Sequence, residues 1–587
     1  MNESGHPVHR ADVLVIGAGG AGLRAAIEAA TAGAHVAIVC RSLLGKAHTV
    51  VAEGGIAAAI ASVDPDDTWQ THFRDTMAGG KYVNNWRMAE LLAREAPGEI
   101  HNLERWGALF DRTPEGGIMQ RLFGGHTYSR LVQVADRTGI ELIRTLQDRT
   151  VQLKLDVYME YTITKLLLRD GRIAGAAGYV RETGRFVVFE APAVIMATGG
   201  SGRLYAVTSN SWEGTGDGQA LAFAAGAELV DMEFVQFHPT GMVWPISVRG
   251  ILVTESVRGE GGILTNRTGE RFMQRYDPKR MELSTRDIVA RAIHTEVAEG
   301  RGSPHGGVFL SISHKPAKFI KRKVPSMYSQ FMEFAHVDIT KEPMEVYPTT
   351  HYIMGGIRVE PDTAATTVPG LFAAGECAGG LHGANRLGGN SLSDLLVFGR
   401  RAGAAAAEYA RDAKHLEPEP FEIEQAECEM LAAFDPGDGE NPFAVQEDLQ
   451  AMMMADVGVF RTEQGLRDAL NRLEELRRRA GNVRATGSRL YNPGWHTALD
   501  LKHMVQIAEA IVRSALLRCE SRGAHTRADF PALDGALETV NTVTKLVDRV
   551  MQTGFVERSR MPADLAGIAF EADSFPANDP PSGPPAI

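Results

Sequence analysis

A glycine-rich turn between an apolar run and an amphipathic run constrains this chain most. Asp12-Val13-Leu14-Val15-Ile16 reads as a short buried strand, and Gly17-Ala18-Gly19-Gly20-Ala21-Gly22 follows it at once. Leu23, Ala26, Ile27 and Ala30 then recur at helical spacing, with Gly33 where a helix C-cap belongs. His35 to Cys40 reads as a second strand. The first glycine of G-x-G-x-x-G allows the tight turn. The second lets a pyrophosphate approach backbone N–H groups at the helix N-terminus, and the third lets helix and strand pack closely. Alone, such a motif is no more than a glycine-rich turn. Set inside a β-α-β unit, Gly17, Gly19 and Gly22 point to dinucleotide binding.

The residues after the second strand, Cys40-Arg41-Ser42, lack the acid that would bind ribose hydroxyls. An arginine there is compatible with a 2′-phosphate, hence NADP, although later blocks look more like FAD contacts. Ala193 to Gly200 is a second apolar run ending in glycines, and Gly370 to Glu376 a third. Glu376 is a candidate for a cofactor polyol hydroxyl. Thr215-Gly216-Asp217-Gly218 reads either as another cofactor loop, with Asp217, or as a simple turn.

These blocks suggest a cofactor domain that is interrupted and then resumes. The expected organisation is a Rossmann-like α/β FAD-binding domain over 1–240 and 351–411, with an α+β capping domain inserted at 241–350. A helical domain would follow over 412–525, where Leu466, Leu470, Leu473 and Leu476 lie three to four apart among charges. A small C-terminal appendage, 526–587, would end in a Pro-rich disordered or strapping tail from about Asp573.

Composition narrows the function. The 587 residues carry a net charge of −12, which disfavours nucleic acid as a partner but permits a local cationic pocket for an anionic substrate. Four cysteines, none paired as C-x-x-C, supply neither a zinc ribbon nor an iron–sulfur ligand set, so no metal site is expected and any iron–sulfur relay belongs to another chain. So few cysteines suit a reducing compartment. No stretch reaches a membrane span, and the first residues show no basic, apolar signal region. Membrane association would therefore come through partners, on the cytoplasmic side of the plasma membrane.

Lys46-Ala47-His48-Thr49-Val50-Val51-Ala52-Glu53-Gly54-Gly55 is the most specific stretch. By itself His48 is a loop histidine. It is joined by Phe123-Gly124-Gly125-His126-Thr127, Phe237-His238-Pro239-Thr240-Gly241, and Thr254-Glu255 with Arg258-Gly259-Glu260-Gly261-Gly262. Arg286-Asp287, His351-Tyr352, Gly383 to Leu392, and Ser521-Arg522-Gly523-Ala524-His525 follow in order. Through these motifs most of the chain resembles the flavoprotein subunits of succinate dehydrogenase and fumarate reductase, the complex II family. It departs from the commoner pattern at Lys46-Ala47, and again after Asp529-Phe530-Pro531.

The resemblance implies FAD attached covalently through His48, with Thr49, Gly54, Gly55, Ser391 and Leu392 among the cofactor contacts. It implies a C4 dicarboxylate held by Arg386 and His351 at one end and by His238 and Thr254 at the other. A planar guanidinium can fork onto a carboxylate. Arg286 would transfer the proton, relayed by Glu255 and Arg258. Each histidine alone would more often be structural, and Arg386 alone a surface ion pair. The partners that the family implies are quinone-binding membrane-anchor subunits together with an iron–sulfur subunit. Two rivals are a soluble L-aspartate oxidase-like enzyme, expected to lack the attachment histidine, and a non-catalytic FAD-binding scaffold, which has no need of converging cations.

Overall fold

The computed structural model describes residues 5–571, so the tail expected from about Asp573 lies outside the described residues. The apolar runs read from the sequence form the middle of a five-stranded parallel sheet. Its order is Leu371–Ala373, Ala193–Met196, Val13–Ile16, Val36–Cys40 and Asp156–Met159. All five run parallel, with Val15 opposite Ile38 on one side and Ile195 on the other. Parallel strands are covered on both faces, which is why these runs are continuously apolar rather than alternating. Helices Gly20–Thr31 and Asn390–Asp412 pack together beside the sheet. The strand that precedes the last of these helices lies far along the chain from the first strand, so the domain is closed by distant sequence.

Gly17 takes φ +113°, and a Cβ there would stand 2.2 Å from the Ala197 carbonyl oxygen. A Cβ at Gly22 would stand 1.9 Å from the Gly17 carbonyl oxygen. Gly17 and Gly22 are thus required by backbone contact, whatever is bound, whereas a Cβ at Gly19 would meet only side chains, at 3.4 Å or more. Gly33, at φ +94°, follows the Ala32 cap of the first helix.

A second core, with Val257, Leu264, Phe272, Ile293, Leu310 and Phe331, lies over the antiparallel sheet of Val235–Met242, Met344–Ile353, Val308–Ser311 and Ile263–Thr265. Helices Pro420–Leu431, Pro442–Asp456, Glu463–Gly481 and Pro493–Leu517 follow. Leu466, Leu473 and Leu476 are buried while Leu470 is half-buried, the stripe expected of an amphipathic helix. The hairpin Val540–Val547 and Val550–Glu557 pairs back onto Leu229–Val230. No helix of the described residues is long and apolar enough to cross a membrane.

Candidate active site

A cavity of about 630 Å³ runs from the fingerprint turn to the inserted sheet, within the size range of cofactor sites. Gly17, Gly19, His48, Thr49, Gly54, Gly55, Asp217, Glu376, Ser391 and Leu392 line it at the cofactor end. Gly22 does not; it sits behind, as the packing contact just described. The first helix begins at Gly20, whose N–H donates to Thr49 Oγ at 3.2 Å. Beside it, His48 opens a short helical turn, His48–Val51. Burial lowers the His48 pKa to about 4, so the ring is neutral. The Ser211 N–H donates to its Nδ1 at 3.3 Å. Nε2 has no hydrogen-bond partner among the described residues.

Several groups here are built to meet a ligand. Glu53 Oε2 and Ser211 Oγ line the cavity, buried and without protein partners. Burial raises Glu376 to about 7 and, with Asp136, holds Glu53 well above the usual carboxyl range. A Cβ at Gly200 would fall 2.3 Å from Glu376 Oε1, which keeps that approach open. The set fits FAD: glycine backbone for the pyrophosphate, hydroxyls and carboxyls for polyol and ring. Arg41 settles the alternative raised by its position. It is tied to Asp500, to Thr215 Oγ1 at 3.1 Å and to Asp217 at 3.6 Å, so its charge is already matched and is not free for a 2′-phosphate. Asp217 accordingly serves Arg41 as well as lining the cavity, at the start of helix Asp217–Ala224.

At the other end the lining turns cationic. Arg286 opens helix Arg286–Ala298 and donates from Nε to Glu255 Oε2 at 2.9 Å. Glu255 begins the short helix Glu255–Gly259, for which Thr254 is the N-cap. Arg258 lies 3.7 Å from Glu255 and does not line the cavity; it is fully buried behind, its Nη1 on the Glu282 carbonyl. Burial would raise the Glu255 carboxyl, but Arg286 and Arg258 outweigh it and hold it below its ordinary value. Arg386 donates to Ser391 Oγ at 2.8 Å and to Gln236 Oε1 at 3.0 Å, both neutral, and stacks over the Tyr352 ring at 4.5 Å. Its Nε is buried without a partner. Burial first, then Arg286, lowers Arg386 to about 9. The cost of this unmatched charge is a standing attraction for an anion.

His238 and His351 meet edge to face, with ring centroids 5.2 Å apart. His351 Nδ1 is 2.8 Å from Ser209 Oγ, and His238 Nδ1 lies between the carbonyl and N–H of Thr240, at 3.1 and 3.3 Å. Burial and then the neighbouring arginines keep both rings neutral. The strand carrying His238 is bulged on both sides of it, between Gln236 and Phe237 and again before Gly241. Bulges of this kind re-aim side chains beside active sites.

Sequence reasoning missed Gln236, Ser209 and Ser211. None is charged and none stands out by spacing, so the chain offered no signal for them. Phe123 also lines the cavity, while the other residues of its motif brace the site. Gly124 N–H donates to Glu255 Oε1 at 3.2 Å, and His126 Nε2 lies 2.7 Å from the Gly388 carbonyl. Ala524 N–H bonds the Ala384 carbonyl at 2.8 Å. No cluster of three or more His, Cys, Asp or Glu side chains suited to a metal occurs among the described residues.

Comparison with known proteins decides the affiliation. Residues 12–392 match the model of an FAD binding domain, and residues 446–553 that of the fumarate reductase flavoprotein C-terminus. This chain belongs to the succinate dehydrogenase and fumarate reductase flavoprotein family. Mycobacterium smegmatis Sdh1, solved in complex with UQ1, is 56% identical, with 96% of this chain and 97% of that one covered and a TM-score of 0.88. A variant of FrdA from the E. coli quinol fumarate reductase is 36% identical over 95% and 98% of the two chains, at a TM-score of 0.90. The succinate dehydrogenase flavoprotein of Coxiella burnetii is 41% identical over 91% of this chain and 94% of its own length. The family's architecture, an interrupted α/β FAD-binding domain followed by helices, is the fold found here. As a member of this family, the chain is an FAD-dependent oxidoreductase flavoprotein.

Proposed function

We propose that this chain is the catalytic flavoprotein subunit of a succinate:quinone oxidoreductase, interconverting succinate and fumarate with FAD bound covalently through His48. The charge balance of the pocket carries the reading. Three buried guanidiniums, of Arg258, Arg286 and Arg386, cluster here, and Glu255, paired with the first two, is the one carboxylate within ion-pair distance of any of them among the described residues. Two positive charges are left over, the complement of a dicarboxylate. Arg386 and His351 would take one carboxylate, and His238 with Thr254 the other.

When bound, FAD supplies the two-electron redox chemistry. The protein's share is to hold the substrate and move a proton. The Arg286 guanidinium donates a proton to the substrate carbon as fumarate is reduced; in succinate oxidation it first passes a proton to Glu255, and the neutral guanidine then takes the proton from carbon. Glu255, hydrogen-bonded to Arg286, and Arg258 behind it form the relay. Arg286, Glu255 and Thr254 all belong to segment 241–350, which we assign as a lid that closes over the substrate and excludes water. His48 suits its role because a neutral ring whose Nδ1 accepts a hydrogen bond is the ring that remains once Nε2 carries carbon. Electrons would leave to a separate iron–sulfur subunit, then to quinone-binding anchor subunits, placing the chain on the cytoplasmic face of the membrane.

The test is to denature the purified complex in acid. Yellow fluorescence retained on the polypeptide band and, in the native complex, a flavin spectral change on adding malonate are the expected results. Full release of the flavin would refute the tether, and no response to malonate would refute the dicarboxylate pocket.

A further inference from the structure

Behind the lining of the pocket, one uncharged side chain touches both substrate-facing arginines. Gln236 is fully buried, and its Oε1 accepts from Arg286 Nη1 at 3.2 Å and from Arg386 Nη2 at 3.0 Å. Its Nε2 donates to Asn385 Oδ1 and to the Arg386 carbonyl, both at 2.8 Å. With the amide N so engaged, the oxygen has no alternative but to face the two guanidiniums. Asn385 in turn donates to Asp287 Oδ1 at 3.2 Å. Each arginine's chain neighbour is therefore part of the same closure: Asp287 beside Arg286, Asn385 beside Arg386. Asp287 is also bonded by Arg291, whose Nη1 reaches the Gly523 carbonyl at 2.9 Å.

We propose that Gln236 is a positioning residue that fixes the distance between the substrate-clamping Arg386 and the proton-transferring Arg286, and that its neutrality keeps both charges available to the substrate. The inference rests on the dicarboxylate reading above. Two guanidiniums repel, so holding them on one oxygen needs an acceptor. A carboxylate would serve as acceptor more strongly, but it would also neutralise one of the two positive charges that attract the substrate. An amide gives the geometry without the compensation. The ring Gln236–Asn385–Asp287 further ties the lid helix Arg286–Ala298 to the loop that carries Arg386. The other charged or titratable groups facing this cluster are Glu255, Arg258, His238, His351, His126, Tyr352 and Glu376.

The experiment uses the assembled complex with its flavin in place, comparing the unmodified enzyme with Gln236→Glu and the apolar near-isostere Gln236→Met. Readouts are flavin content, KM and kcat in both directions, the pH profile of kcat, and malonate binding followed by flavin absorbance. For Gln236→Glu we expect malonate and succinate to bind about tenfold or more weakly. The limb of succinate oxidation that rises with pH should move up by about one unit, because a carboxylate stabilises the protonated Arg286. For Gln236→Met we expect kcat to fall about tenfold or more through misplacement, with no upward movement of that limb. Unchanged binding and an unmoved limb in Gln236→Glu overturn the proposal, as does an equal kcat loss in both variants with the same pH profile. If Gln236→Glu does not assemble, Gln236→Met decides: a kcat loss at full flavin content supports the proposal, and unmodified kcat overturns it. Absence of any malonate response in the unmodified complex would instead remove the dicarboxylate reading itself.

Discussion

At the scale of single residues, chemistry here depends on charges left unmatched. Arg386 is buried with neutral partners, whereas Arg41, equally suggestive in the sequence, is neutralised by Asp500 and Asp217. Residue type is the same; the partner decides the role. Replacing Arg286 by Gln keeps a hydrogen-bonding group near Glu255 but removes the proposed proton donor. Turnover should fall by at least about a thousandfold, while fumarate binding stays within about tenfold, or ~1.4 kcal/mol. Steady-state kinetics and a flavin titration measure the two. Residual turnover near the unmodified rate would remove Arg286 from acid–base work. If His48 carries the proposed tether, a His48→Ser variant that retains FAD should lose succinate oxidation more than fumarate reduction, because succinate is the weak reductant and needs the higher-potential flavin that such a tether would give. Equal losses in the two assays would count against that.

At the scale of elements, the turn at Gly17 and the helix Gly20–Thr31 show how backbone contact sets sequence. Gly22→Ala places a methyl 1.9 Å from the Gly17 carbonyl oxygen, so helix or turn must shift. Overpacking of this kind costs about 1–3 kcal/mol. The displaced turn should also lower flavin occupancy, read as the ratio of visible to ultraviolet absorbance. Gly33→Ala is the control: nothing lies within 4 Å of its Cβ, and only its φ of +94° opposes the change. It should cost about 1 kcal/mol of stability and leave flavin content untouched. Loss of flavin in both variants would mean that helix stability, not the turn, governs cofactor retention. The strand Val235–Met242 is the second such element, since its bulges put Gln236 and His238 beside the arginines.

At the scale of the whole molecule, burial holds many histidines neutral. His48 is lowered to about 4, and His72, His126 and His496 to about 3, with His238, His351 and His525 also well below their ordinary value. In the unfolded chain these rings take up protons below about pH 6.5, so that state binds more protons and stability falls as pH drops below 6.5 toward 4. Six carboxyls raised by burial, Glu53, Asp67, Glu213, Asp231, Glu376 and Asp500, act in the opposite sense, but His9, His294, His382 and His503 are lowered as well, so the histidines outnumber them. The melting temperature should therefore fall between pH 7 and pH 5; a flat profile by scanning calorimetry would contradict this. The parallel sheet, the fingerprint turn and the residue types of the pocket were legible in the chain, because period, glycine placement and charge are local properties. What tertiary structure alone decided is which of those charges are free. Gln236 meets Arg386 across 150 residues, and Arg41 meets Asp500 across 459. No local pattern encodes such pairings, since they arise only when packing brings distant segments within the few ångströms over which a buried charge finds, or lacks, its partner.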